Sequence, residues 1–152
     1  MGNRRKRISR PYATPVDELP RWERGTPGVL CAAGPHPIPV STAVRASRDR
    51  LLFALGRDRE TLRRIRASPE AAVCLMGRGV AFTAHGRARV VAEELDAAET
   101  VVAVELRIER VQDHLADGRT EMLDGARWRW TDQSWGSTER EIVDELVALA
   151  GS

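Results

Sequence analysis

Long apolar runs are missing from this sequence. No window of the 152 residues approaches the roughly 18 consecutive apolar positions of a membrane-crossing helix, and the first residues are too polar and basic for a signal peptide. The chain therefore reads as a cytoplasmic protein. Cysteine is scarce: Cys31 and Cys74 sit in separate apolar runs, outside any CxxC or Cys/His cluster. That argues for buried free thiols, and against a disulfide or zinc site. None of the 3 histidines has a metal-ligand spacing partner, and no Ser/His/Asp or Cys/His constellation can be assembled, so no metal is expected. A glycine-rich phosphate loop and a regular strand–helix repeat are both lacking, which excludes a parallel nucleotide-binding sheet. Aromatic residues are 5% of the chain and form no stacking strand, which disfavours nucleic acid as a partner.

Lysine is almost absent as well. All but one of the 24 basic residues are arginine, the exception being Lys6. With abundant alanine, this imbalance reflects a G- and C-rich genome as much as chemistry. Arg4, Arg5, Lys6, Arg7 and Arg10 concentrate positive charge at the start, so the rest of the chain is net acidic although the whole is +2. Residues 1–12 read as a basic, solvated arm and 13–152 as a single domain. At 42% hydrophobic, that domain can bury a core.

Periodicity supplies the elements. Four prolines between 11 and 27 make an extended lead-in, with one helical turn expected over 17–23. Strands follow at 29–33 and, after the breaker Gly34-Pro35-His36-Pro37, at 38–44, where Ile38, Val40, Thr42 and Val44 share a face. Arg48-Asp49 turns the chain into a strand over 51–55. A helix is predicted next, capped by Asp58, striped by Leu62 and Ile65, and stopped by Pro69. A strand over 71–76 and a long one from Val80 to Val91 are joined by a tight hairpin at Gly77-Arg78-Gly79. One helical turn is expected within 93–99. Over 101–111, Val102, Val104, Leu106 and Ile108 should face inward, and Glu105, Arg107 and Glu109 outward. A strand over 126–130 precedes a closing helix that starts at the capping-box pattern Thr138-x-x-Glu141, with Ile142, Leu146 and Leu149 on one face. The sum is mainly β with α (α+β): an antiparallel split β-barrel of six to seven strands, with a mid-chain helix and a C-terminal helix.

The ordered set Gly28-Val29-Leu30, Gly34-Pro35-His36-Pro37-Ile38-Pro39-Val40-Ser41-Thr42, Leu51-Leu52-Phe53-Ala54-Leu55-Gly56, Thr61-Leu62-Arg63-Arg64-Ile65-Arg66-Ala67-Ser68-Pro69 and Phe82-Thr83-Ala84-His85-Gly86 resembles the pyridoxamine 5'-phosphate oxidase-like, FMN-binding split-barrel family. The resemblance covers residues 26–130. It implies a homodimer with two sites at the subunit interface, each holding FMN or the deazaflavin coenzyme F420. The ring would lie along the second and third strands, and the phosphate near the start of the mid-chain helix. Arg57, Arg59, Arg63, Arg64 and Arg66 cluster there, where helix N–H groups already favour an anion. Many relatives carry Lys and then Asn in that helix; here the positions are Thr61 and Arg64.

Val40, Ser41 and Thr42 are the ring-edge candidates. As strand neighbours, Ser41 and Thr42 should not both face the ring. Trp128 and Trp130, two apart, would share a face able to cover it, with Arg127 and Arg129 opposite. Trp22 and Trp135 read as capping or interface residues. His36 and then His85 are the candidates for substrate contact, no catalytic residue being assignable. The function implied is an FMN- or F420-dependent oxidoreductase passing hydride between a donor and a small organic substrate. The alternative is a non-catalytic binder of flavin, deazaflavin or haem, for storage or sensing. Strict pyridoxamine-phosphate oxidase activity is disfavoured, because the tail is an Ile142/Leu146/Leu149 helix, not an Arg/His-bearing segment.

Overall fold

A computed structural model describes residues 18–151. The predicted arm, and the start of the predicted 17–23 turn, lie outside the described residues; from Glu18 to Glu23 the chain is not helical. The elements in order are β1 (Gly28–Ala32), β2 (His36–Val40), β3 (Val44–Ser47), β4 (Arg50–Gly56), α1 (Glu60–Ala67), β5 (Glu70–Gly77), β6 (Val80–Ala92), β7 (Val101–Asp113) and α2 (Gln133–Ala150). Among the described residues, all seven strands form one antiparallel sheet in the order β2-β1-β5-β6-β7-β4-β3.

That order forces a barrel. β2 and β3 are the opposite edges of the sheet, yet only Ser41, Thr42 and Ala43 separate them in the chain. The sheet must curl until its edges meet, with no β2–β3 ladder to close the seam. Sequence explains why β2 is an edge: Pro37 and Pro39 have no N–H to give an outer neighbour. The β5–β6 hairpin turns in two residues, and Gly79 takes φ 71°, a conformation glycine adopts freely.

Inside the barrel, Leu30, Phe53, Val73, Phe82, Val104 and Leu106 are fully buried, as the period-2 alternation predicts. Trp22 tilts against Phe82 and plugs the barrel, its indole N–H donating to the Ala43 carbonyl. A second, smaller core forms on the outside of the sheet. There α2 lays Ile142 and Leu146 over Leu52, Leu95 and Ala103.

Several expectations are corrected. The strand predicted over 38–44 is broken at Ser41, Thr42 and Ala43, where the chain crosses the seam; the Thr42 hydroxyl there accepts the Ala54 N–H. Glu105, expected outside, is 2% exposed. Its carboxylate takes Nε of Arg50 at 2.9 Å and Nε of Arg89 at 3.3 Å, the pairing a buried charge requires. Residues 126–130 join no sheet, and 93–99 form no helical turn; instead Glu145 accepts the N–H groups of Asp96 and Ala97. Helix α1 is preceded by Arg59, so Asp58 is not its cap. Helix α2 begins five residues before Thr138, capped by Asp132 through the Ser134 N–H, and the Thr138 hydroxyl donates to the Ser134 carbonyl inside it.

Candidate functional site

Strand β2 ends at two different environments. At its C-terminal end, Val40 and Ser41 meet Trp128 and Trp130 across a cleft of about 400 Å³, with Pro27 and Pro39 completing its apolar walls. Four of the residues singled out from sequence thus come together, although two of them lie about 90 residues from the others. Trp128 and Trp130 meet edge to face at 5.9 Å, and Trp135 stacks on the far side of Trp130 at 6.0 Å. Both lining indoles are tethered. Trp128 donates its N–H to the Gly25 carbonyl at 3.0 Å, and Trp130 donates to Glu139 Oε2 at 3.1 Å. The ring atoms stay open: the two side chains are 41% and 42% exposed. Arg129, placed opposite the tryptophans by strand alternation, lines the same cleft, because this segment is irregular. It was missed for that reason. Thr42 points the other way, to β4.

At the N-terminal end, β2 meets α1. The His36 ring nitrogen Nε2 lies 3.1 Å from Thr61 Oγ1, and Thr61 is 1% exposed. Arg64 donates to the Ala33 carbonyl and to Glu60, each at 3.1 Å. A side chain on Gly34 would collide with that guanidinium, and Gly34 also has positive φ. Arg57 donates to the carbonyls of Glu93 and Glu99 at 2.8 and 2.6 Å. Arg66 grips the Glu93 carboxylate with both terminal nitrogens, which holds Glu93 below the usual carboxylate range and raises the guanidinium. Arg63 reaches the Asp58 carbonyl. At this end the exposed Arg59 guanidinium has no partner among the described residues, and the buried Nε of Arg64 has none either.

His85 lies beside the α1 end. Its Nε2 is 3.0 Å from Gln112 Oε1, and it lines a groove of about 410 Å³ that reaches Gly34 and Pro35, just before β2, and includes Glu70, Arg87 and Glu109. Neither His36 nor His85 lines the tryptophan cleft. Both cysteines are free and half-buried, and among the described residues no cluster of three His, Cys, Asp or Glu is placed to hold a metal. None of the described helices is long and apolar enough to cross a membrane.

No protein-family model matches the chain, and no curated protein matches it in sequence. Solved structures do match. A candidate pyridoxamine 5'-phosphate oxidase from Lactobacillus delbrueckii superposes with a TM-score of 0.52 at 15% identity, covering 67% of this chain and 98% of that one. Another, from Listeria innocua, gives 0.48 at 15% identity, over 58% and 87%. An F420 reductase gives 0.48 at 14%, over 59% and 90%. The chain has the split-barrel fold of the pyridoxamine 5'-phosphate oxidase-like proteins.

The two ends of β2 differ in how well they suit a flavin-type cofactor. The cleft suits a planar ring: it has indole surface, aliphatic floor, one hydroxyl and one unpaired guanidinium. The α1 end suits a phosphate less well than the run of arginines suggests, since Arg59 and Arg64 Nε are what remain to meet it. Four residue steps of β2, about 3.3 Å each, put about 13 Å between the ends. That is a separation a ring and phosphate joined by a ribityl chain can bridge.

Proposed function

We propose that this protein binds FMN or F420 and acts as an oxidoreductase on a small organic substrate. In this reading the ring lies in the tryptophan cleft, and the phosphate points along β2 toward Arg59. The observation that carries it is the convergence of Val40 and Ser41 with Trp128 and Trp130 on one apolar, aromatic cleft. A bound flavin or deazaflavin supplies the hydride donor and acceptor. The chain's own residues bind and orient. One indole stacks on a face of the ring while the other, nearly perpendicular to it, meets the ring edge, and Val40 with the prolines excludes water from the opposite face. Arg129 offers charge-assisted donors to its polar edge.

The exposed indoles also support a twofold homodimer, in which a second copy covers the cleft. Trp128, Trp130 and Trp135 together make an apolar surface of the kind monomers seldom leave open. Light scattering at micromolar concentration should give twice the chain mass.

The test of function is spectroscopic. Protein titrated with FMN, and separately with F420, should bind one of them saturably. The complex should then bleach with a nicotinamide or reduced-F420 donor and recover with an organic acceptor. A second reading, a non-catalytic carrier or sensor of flavin or deazaflavin, is favoured by one observation: the cleft lining holds no His, Cys, Asp or Glu side chain; the same lining offers a haem iron no axial ligand. Saturable binding with no bleaching by either donor would select it.

A further inference from the structure

We infer that Glu139 is the positioning residue of the tryptophan cleft, a single carboxylate that ties Trp130 on one wall to Ser41 at the end of the other; this rests on the cleft being the ring site. Glu139 stands in the second turn of α2 and does not line the cleft itself. Its two oxygens take donors from opposite walls. Oε1 accepts the Ser41 hydroxyl at 2.6 Å, across 98 residues of chain, and Oε2 accepts the Trp130 indole N–H at 3.1 Å. Ser41 sits at the seam between β2 and β3, and Trp130 on a segment with no sheet neighbour. The β2 wall is held by its ladder to β1 up to Val40, whereas the tryptophan wall has no ladder, so side-chain tethers set where that wall stands.

A carboxylate suits both partners. The Trp130 N–H can only donate and the Ser41 hydroxyl donates here, and each finds a charged acceptor oxygen. An amide of the same length could still accept from Trp130 and give an N–H to the Ser41 oxygen, so only an apolar side chain removes both tethers. A shelf already held in its binding geometry loses little freedom when a ligand arrives, and that is where the affinity is gained. Asp144, five residues further along the same helix, provides the contrast. It pairs with Arg24 at 2.7 Å, and neither residue lines the cleft.

Glu139→Leu, Ser41→Ala and Asp144→Asn, each checked for folding by circular dichroism, are titrated with FMN. The ligand-free proteins are then probed by acrylamide quenching of tryptophan emission. Glu139→Leu should raise the FMN Kd about tenfold and increase quenching. Ser41→Ala should raise the Kd less, with quenching close to wild type, and Asp144→Asn should change neither. An unchanged Kd in Glu139→Leu overturns the inference, as does an Asp144→Asn variant that behaves like it, since Glu139 would then merely dock the helix. Should Glu139→Leu fail to fold, Glu139→Asp decides, its carboxylate being one methylene too short to reach both partners: a raised Kd with increased quenching, both absent in Asp144→Asn, supports the clamp, and unchanged values overturn it. Failure of wild type to bind FMN or F420 would defeat the proposed cofactor instead. Quenching then decides the clamp alone: an increase confined to Glu139→Leu supports it, and equal quenching in all variants overturns it.

Discussion

The two ends of β2 invert what their compositions suggest. The α1 end carries five arginines within ten residues, yet four of them are spent on backbone carbonyls and on Glu60 or Glu93. The other end has one arginine and two indoles, and its surfaces remain open to a ligand. Charge density in a sequence is therefore a poor measure of charge available for binding. A guanidinium held by a nearby carbonyl or carboxylate is fixed in place and has fewer of its five donors to offer a ligand.

Breaking the aromatic end should have the largest effect. Trp128→Ala with Trp130→Ala should cost roughly 1.5–4.5 kcal/mol of FMN affinity, about 1–3 for the stacking indole and about 0.5–1.5 for the edge contact, with little loss of stability because both residues are largely exposed. Titration of the double variant with FMN checks this. At the other end, Arg57→Ala should act on the fold. It removes two charge-assisted bonds that hold the 93–99 loop, and should cost roughly 1–3 kcal/mol in denaturant unfolding while leaving FMN affinity unchanged. The reverse pattern would mean that Arg57 leaves those carbonyls to bind phosphate.

Smaller still is Arg59→Ala, about 1 kcal/mol after allowance for solvent screening. It should weaken FMN but not riboflavin, which lacks the phosphate; comparison of the two dissociation constants is the check. The weakest effect is acid sensitivity. Arg66 holds Glu93 below its ordinary value, so this pair's contribution is complete above the ordinary carboxylate range and fades as pH falls through the lowered one. Asp132, lowered by its bond from Ser134, behaves the same way at the α2 cap. Glu93→Gln should therefore shallow the loss of melting temperature between neutral pH and pH 3.

The barrel was legible because alternation over β4 to β7 is long and its inner positions are apolar. Glu105 was misplaced because alternation assigns a side chain to a face without saying what covers that face. Here a helix and two arginines do. The Trp-Arg-Trp pattern at 128–130 reads as a strand, but a strand needs a neighbour and the sheet offers none, so Arg129 turned out to share the cleft with the tryptophans. Trp128 and Trp130 themselves were legible as a pair sharing one surface, and they do line one cleft. Glu139 was not, since its partners Ser41 and Trp130 acquire meaning only once the seam of the barrel is closed. The arginines around α1 were visible as a cluster, but not their carbonyl partners, which are backbone atoms that no residue type announces.

The most direct measurement is a crystal structure of the protein soaked with FMN. Density for the tricyclic ring should lie between Trp128/Trp130 and Val40/Ser41, with the ribityl chain following β2 toward Arg59. Ring density in the groove beside His85 and Arg87, with the tryptophan cleft empty, would contradict that placement.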